Sequence, residues 1–138
     1  VFPFHGWLPD ASVAPTPVSA LLHAVAVVKA GAFAVLRLIY YGFGADFLRG
    51  SWAQTVVMTA AIVTIVYGSA RALRTPHLKR RLAFSTVSNL SYILFALTLM
   101  TPAGMVGGMT HMVYHAFTKI TMFCCAGAII LKSGKEYI

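Results

Sequence analysis

Five titratable side chains stand inside apolar stretches of this chain: His23, Lys29, His111, His115 and Lys119. Lys29 lies near the centre of its stretch, about 18 Å from either end if the stretch is helical. An ammonium that deep cannot reach water by stretching alone, and its placement at a bilayer centre costs about 2.5–3.5 kcal/mol on insertion scales. Such a residue faces a partner or a hydrated cavity, and an amine there can hold and release a proton. The alternative is a structural ion pair with a carboxylate on another helix. Lys119 repeats the pattern in the last apolar stretch. The only acids are Asp10, Asp46 and Glu136, all at ends or in loops, so any countercharge to the lysines lies outside this chain.

His111, His115 and Lys119 are spaced i, i+4, i+8, which stacks them on one helix face with ~6 Å of rise per step. Histidine titrates near neutral pH. A His–His–Lys ladder bridged by water therefore suits proton transfer from mid-membrane toward one surface, and interhelical hydrogen bonding is the plainer reading. His23 sits six residues before Lys29, ~120° away around a helix. The two can line one cavity but do not form a ladder. Ser85, Ser88 and Asn89, with Thr86 and Ser91, make the third stretch polar, either as the wall of a water-filled path or as interhelical hydrogen bonds. A metal site has no third ligand beside His111 and His115. The adjacent Cys124 and Cys125 read as small hydrophobes within a helix.

The elements that must position these groups follow from composition. The 138 residues are 59% hydrophobic and 10% charged, with mean hydropathy +0.78. A soluble domain carries about 25% charged residues, so the natural solvent of this chain is lipid. Four stretches approach the ~20 residues a helix needs to span a hydrocarbon core: about 17–41, 53–73, 82–101 and 105–131. Backbone groups find no water in lipid, so the stretches must be helical. The expected fold class is an all-α polytopic transmembrane helix bundle, a single domain. Residues 1–14, broken by Pro3 and Pro9, read as an interfacial segment or as the end of a helix whose beginning is missing. A start at Val1 and a loop-like end at Gly-Lys-Glu-Tyr-Ile suggest an excerpt of a longer chain.

The net charge of +8 comes largely from Arg71, Arg74, Lys79, Arg80 and Arg81 between two apolar stretches, and Lys132 and Lys135 in the tail. Arg37 and Arg49 stand at the other side. Basic loops set membrane topology, which places the 71–81 loop and both ends on the cytoplasmic or equivalent side. This is a topology signal and not a nucleic-acid footprint. Gly104 and Gly108 form a weak GxxxG spacing at a helix end with no functional weight.

Several motifs resemble a known family. Phe2-Pro3-Phe4-His5-Gly6-Trp7-Leu8-Pro9-Asp10, Ala14-Pro15-Thr16-Pro17-Val18-Ser19-Ala20-Leu21-Leu22-His23 and Val28-Lys29-Ala30-Gly31 are similar to the antiporter-like subunits of respiratory complex I. The same family holds the large subunits of multi-subunit cation/proton antiporters and of membrane hydrogenases. Leu78-Lys79-Arg80-Arg81-Leu82-Ala83-Phe84-Ser85-Thr86 resembles its basic loop and polar helix, and His115-Ala116-Phe117-Thr118-Lys119 its buried His/Lys helix. The departures are His77 in place of an acid and Asn89-Leu90-Ser91-Tyr92 in place of Gln-x-Gly-Tyr. The resemblance leans toward the D-type antiporter and hydrogenase-linked branch.

It implies proton translocation through buried lysines and histidines, with Lys29, His111, His115 and Lys119 matching positions of that path. It further implies other membrane subunits as partners, and a prokaryotic plasma membrane or mitochondrial inner membrane as the location. No flavin, iron–sulfur or quinone motif is present, so no cofactor is expected in this chain, and redox chemistry would sit in other subunits. The rival functions are a sodium/proton exchanger without redox coupling and a structural membrane scaffold.

Overall fold

A computed structural model of the chain describes residues 6–11, 14–24, 27–134 and 137. Residues 1–5 of the opening motif, Lys135 and Glu136 lie outside the described residues. The elements in order are α1 (Trp7–Asp10), α2 (Thr16–Ala24), α3 (Val27–Arg37), a π-helical turn (Leu38–Phe43), α4 (Ala45–Leu48), α5 (Trp52–Arg74), α6 (Leu78–Thr98) and α7 (Pro102–Ser133). Among the described residues there is no strand, only an isolated antiparallel bridge between His77 and Tyr137.

Three helical segments are long and apolar enough to cross a membrane: Thr16–Phe43, Trp52–Arg74 and Pro102–Ser133. The chain forms an all-α membrane helix bundle. α6 is as long as a span, at 21 residues, but too polar to join them. The reason is its position. It packs against α5 on one side and α7 on the other, with α1 and α3 also touching it. Ser88, Ser91, Thr86 and Thr98 are accordingly buried among helices.

α6 begins at Leu78, earlier than the expected 82, and ends at Thr98. Lys79, Arg80 and Arg81 thus form its first turn. Cations at a helix N-terminus oppose the macrodipole, and Arg81 answers by folding back onto the end of α5. Its Nε donates to the Ala72 carbonyl at 3.0 Å and its terminal nitrogen to the Leu73 carbonyl at 3.0 Å. Arg71 and Arg74 stand in the last turn of α5, where the dipole favours them. The basic loop therefore contracts to residues 75–77.

The opposite end of α6 is closed by three side chains from elsewhere. Gln54 donates to the Thr98 carbonyl at 2.8 Å, Arg49 to Met100 at 2.7 Å, and Tyr40 makes long bonds to Leu97 and Thr101 at 3.4 and 3.5 Å. These satisfy carbonyls that a helix leaves open at its C-terminus. Gln54 also accepts from the Gly50 amide at 2.7 Å, while Ser51 caps α5 by accepting from the Gln54 amide, a variant of the capping box. Thr101 caps α7, with Pro102 in its first turn, and left-handed Gly134 (φ 65°) ends it.

The short segment α1 packs onto the bundle. Leu8 is buried against Val28 of α3 and Val87 of α6. A second apolar cluster joins Ala32, Leu36 and Ile39 to Ile93, Leu97 and Met100. α3 therefore runs alongside α6 in the same direction. Gly127 of α7 lies against Thr16 at the start of α2, so α2 and α3 run antiparallel to α7. That register brings Lys29 level with His115.

Candidate functional site

The centre of the site is a hydrogen bond between two helices distant in sequence. Lys29 Nζ of α3 lies 2.8 Å from His115 Nδ1 of α7, and both residues are buried. One proton must occupy the line between the two nitrogens. If Lys29 is an ammonium, His115 accepts at Nδ1 and carries its own proton at Nε2. Passing the shared proton to the ring leaves a neutral amine, and no side chain needs to move. His115 Nε2 is buried and has no partner among the described residues.

Lys119, one turn beyond His115, is 2% exposed. Its Nζ donates to Ser85 Oγ and to the Leu82 carbonyl of α6, the latter at 3.2 Å. Ser85 in turn donates to Leu82 O at 2.8 Å, and Thr86 to the same oxygen at 3.0 Å. Three side-chain donors on one carbonyl exceed its two lone pairs, so they compete for it. Among the described residues the partners of Lys119 are thus a hydroxyl and a carbonyl, without a carboxylate. The described acids, Asp10 and Asp46, stand in α1 and α4.

His111 continues the face. Its ring lies parallel to that of His115 (interplanar angle 7°) at 6.2 Å between centroids. Its Nε2 is 3.2 Å from Asn89 Oδ1, and Asn89 donates to the Ser85 carbonyl at 2.8 Å. α6 and α7 run antiparallel, which pairs 111 with 89 and 119 with 85. Between them lies a cleft of about 210 Å³, lined by Ser85, Asn89, His111, His115 and Lys119 with Tyr114, Thr118 and Met122. At ~30 Å³ per molecule it has room for several waters.

The i, i+4, i+8 spacing on α7 thus exists, but it is not a direct ladder. His115 is bonded to Lys29 from another helix, and Lys119 to Ser85. His23 of α2 is 0% exposed and stacks on Phe123 of α7 at 5.0 Å. Neither of its ring nitrogens has a partner among the described residues. Phe123 follows Lys119 by four residues on the same face, a signal that periodicity carried and residue chemistry did not.

Ser88 departs from the expected path lining. It lies on the α5 side of α6, 2.9 Å from Ser69 Oγ and 3.3 Å from the Ile65 carbonyl. Gly68 makes this approach possible, since a Cβ there would lie 3.2 Å from the Ser88 amide nitrogen. Ser88→Ala should lower stability by about 0.5–1.5 kcal/mol, the net worth of such a hydrogen bond. Denaturant titration of the purified chain followed by tryptophan fluorescence would read it, and an unchanged midpoint would count against this packing role. Cys124 and Cys125 are exposed free thiols.

A family model described as NADH:quinone oxidoreductase/Mrp antiporter, TM, matches residues 1–138. Subunit 5 of the chloroplastic NAD(P)H-quinone oxidoreductase of Nuphar advena is 37% identical over 129 residues, 94% of this chain and 16% of that protein. That of Buxus microphylla is 39% identical over the same coverage. The chain thus spans about 16% of the length of these curated relatives. Among solved structures, a chain of the Mrp complex from Dietzia sp. is 36% identical with a TM-score of 0.88, matching 99% of this chain and 15% of that one. A chain of the membrane-bound sulfane sulfur reductase, an archaeal respiratory membrane complex, is 33% identical with a TM-score of 0.90, matching 99% of this chain and 28% of that one. The chain belongs to the NADH:quinone oxidoreductase/Mrp antiporter transmembrane family.

Proposed function

We propose that this chain forms the proton-conducting centre of a membrane subunit in a complex I-like respiratory oxidoreductase. The observation that carries this is the buried Lys29–His115 contact, 2.8 Å long and made between α3 and α7, beside a second buried lysine with no carboxylate partner among the described residues. A proton enters the pair at Lys29, crosses to His115 Nδ1, and leaves from Nε2 toward the cleft. Water there links it to Lys119 and, past the parallel ring, to His111 and Asn89. Ser85 gives Lys119 a neutral acceptor, so the lysine keeps a place to rest in either protonation state. His23, buried and stacked on Phe123 one turn beyond Lys119, is a further titratable group beside this path. The redox groups sit in other subunits, and the neighbours of this chain are membrane subunits and lipid. A prokaryotic plasma membrane or a mitochondrial inner membrane is the proposed setting.

A test is proton uptake by vesicles containing the intact complex. Lys119→Ala at matched assembly should lower electron-donor-driven uptake at least tenfold. Ser85→Ala should lower it roughly tenfold, the equivalent of one charge-assisted hydrogen bond of about 1.4 kcal/mol. Ser88→Ala should leave it unchanged. Normal uptake in Lys119→Ala would sink the proposal.

A second reading is monovalent cation/proton exchange without redox coupling, favoured by the likeness to the Mrp complex chain. Its mark is a sodium-dependent proton flux that survives removal of the electron donor.

A further inference from the structure

A crevice of about 280 Å³ opens where α1 meets the last turn of α5 and the first turn of α6. Its walls carry Asp10, Tyr67, Arg71, Thr75, Arg80 and Phe84, none of them part of the Lys29–His115 site. Arg71 and Arg80 are exposed. Unlike Arg81, whose donors are committed to the end of α5, neither guanidinium donates a hydrogen bond among the described residues. The guanidinium of Arg71 rests 5.6 Å from the Phe84 ring centroid, which fixes its place and leaves its N–H groups for another acceptor. Two guanidinium groups face one carboxylate, Asp10, so the crevice has an uncompensated positive charge.

The surface beside it is apolar. Tyr67 and Val63 follow Arg71 at four-residue steps along one ridge of α5. Val63 and Val66 are 50% and 64% exposed, and a shallow groove lined by Val63, Thr59, Val56 and Trp52 continues the ridge. Arg71 to Val63 covers about 12 Å along the helix, comparable to one leaflet at half of ~30 Å. A cationic mouth over an apolar track of leaflet depth matches one ligand chemistry: a phosphodiester with acyl chains.

We propose that this crevice is the headgroup site of an anionic phospholipid. Its phosphate is held between Arg71 and Arg80, its headgroup hydroxyls donate to Asp10, and an acyl chain lies along the Tyr67–Val63 ridge. Guanidinium forks suit phosphate oxygens, and basic pockets between helices are the usual seat of such headgroups.

The test is native mass spectrometry of the intact complex, released from membranes in the presence of phosphatidylglycerol. Wild type and Arg74→Gln, whose residue is exposed but does not line the crevice, should retain one more phosphatidylglycerol per copy than the double variant Arg71→Gln, Arg80→Gln. The affinity loss should be roughly thirtyfold, at about 1 kcal/mol for each basic residue. The double variant Arg71→Lys, Arg80→Lys keeps the charge and should still hold the lipid, which answers a glutamine variant that fails to assemble. Equal retention by the glutamine variant, or loss by the lysine variant, would overturn the proposal. So would equal retention of phosphatidylcholine or phosphatidylethanolamine, or displacement by inorganic phosphate alone. A wild type that keeps no lipid there, because a neighbouring polypeptide's carboxylate fills the crevice, would overturn it as well.

Discussion

If the chain conducts protons as proposed, Lys29→Ala should lower donor-driven proton uptake by the assembled complex at least tenfold below wild type, and Lys29→Arg should do the same. The alanine variant removes the amine 2.8 Å from His115. It also removes a charge whose burial is costly, so the fold tolerates the loss. The remaining cost is His115 Nδ1 left without a donor, about 1–3 kcal/mol for a buried polar group. The arginine variant is the sharper probe. It keeps the positive charge and offers donors to His115, but a guanidinium does not give up its proton in a protein. A lysine with a purely structural role would be rescued by arginine, whereas a proton carrier would not. Dye-reported acidification of inverted vesicles, normalised to assembled complex, separates the two. Pumping at the wild-type rate by Lys29→Arg would mean that Lys29 does not carry the proton.

Gly104→Ala should destabilise the bundle by about 1–3 kcal/mol, the usual cost of overfilling a packed interior. A Cβ at Gly104 would lie 2.5 Å from the Ala96 carbonyl oxygen and 3.2 Å from Leu99 Cβ, in the last turn of α6 and the residue after it. The obstacle is backbone, with no flexible side-chain end to swing aside, so α6 and α7 must part. Gly107→Ala is the companion variant, because a Cβ there meets nothing within 4 Å. Alanine is the better helix former by about 1 kcal/mol, so Gly107→Ala should be neutral or slightly stabilising. Thermal unfolding in detergent compares the pair, and equal midpoints would show that the α6–α7 contact yields at no cost. The same contact uses Gly108, whose Cβ would lie 3.3 Å from Leu97. The GxxxG spacing, weak as a sequence signal, is therefore the seam that sets how closely the polar face of α6 approaches His111, His115 and Lys119.

Much of this was legible in the residues. Low charge and long apolar stretches dictated helices, because a backbone in lipid has no other way to satisfy its amides and carbonyls. The depth of Lys29 and Lys119 followed from counting residues at 1.5 Å each. The shared face of His111, His115 and Lys119 followed from 3.6 residues per turn. The polar character of α6 was equally plain, although its reading as wall or as glue stayed open. The tertiary structure put these groups on opposite sides: Ser85 and Asn89 line the cleft toward α7, and Ser88 joins α5.

Partners across helices were beyond the reach of periodicity. A helical repeat says which side chains share a face, but not which helix that face meets or at what height. That depended on the register of α3 against α7, set by contacts such as Gly127 on Thr16 and by the closure of the far end of α6 by Tyr40, Arg49 and Gln54. Those contacts come from residues that carry no chemical signature of their own. They gave His115 to Lys29, Lys119 to Ser85, and sealed His23 against Phe123. Local geometry determined which groups could titrate inside the membrane. Only long-range packing decided which of them touch.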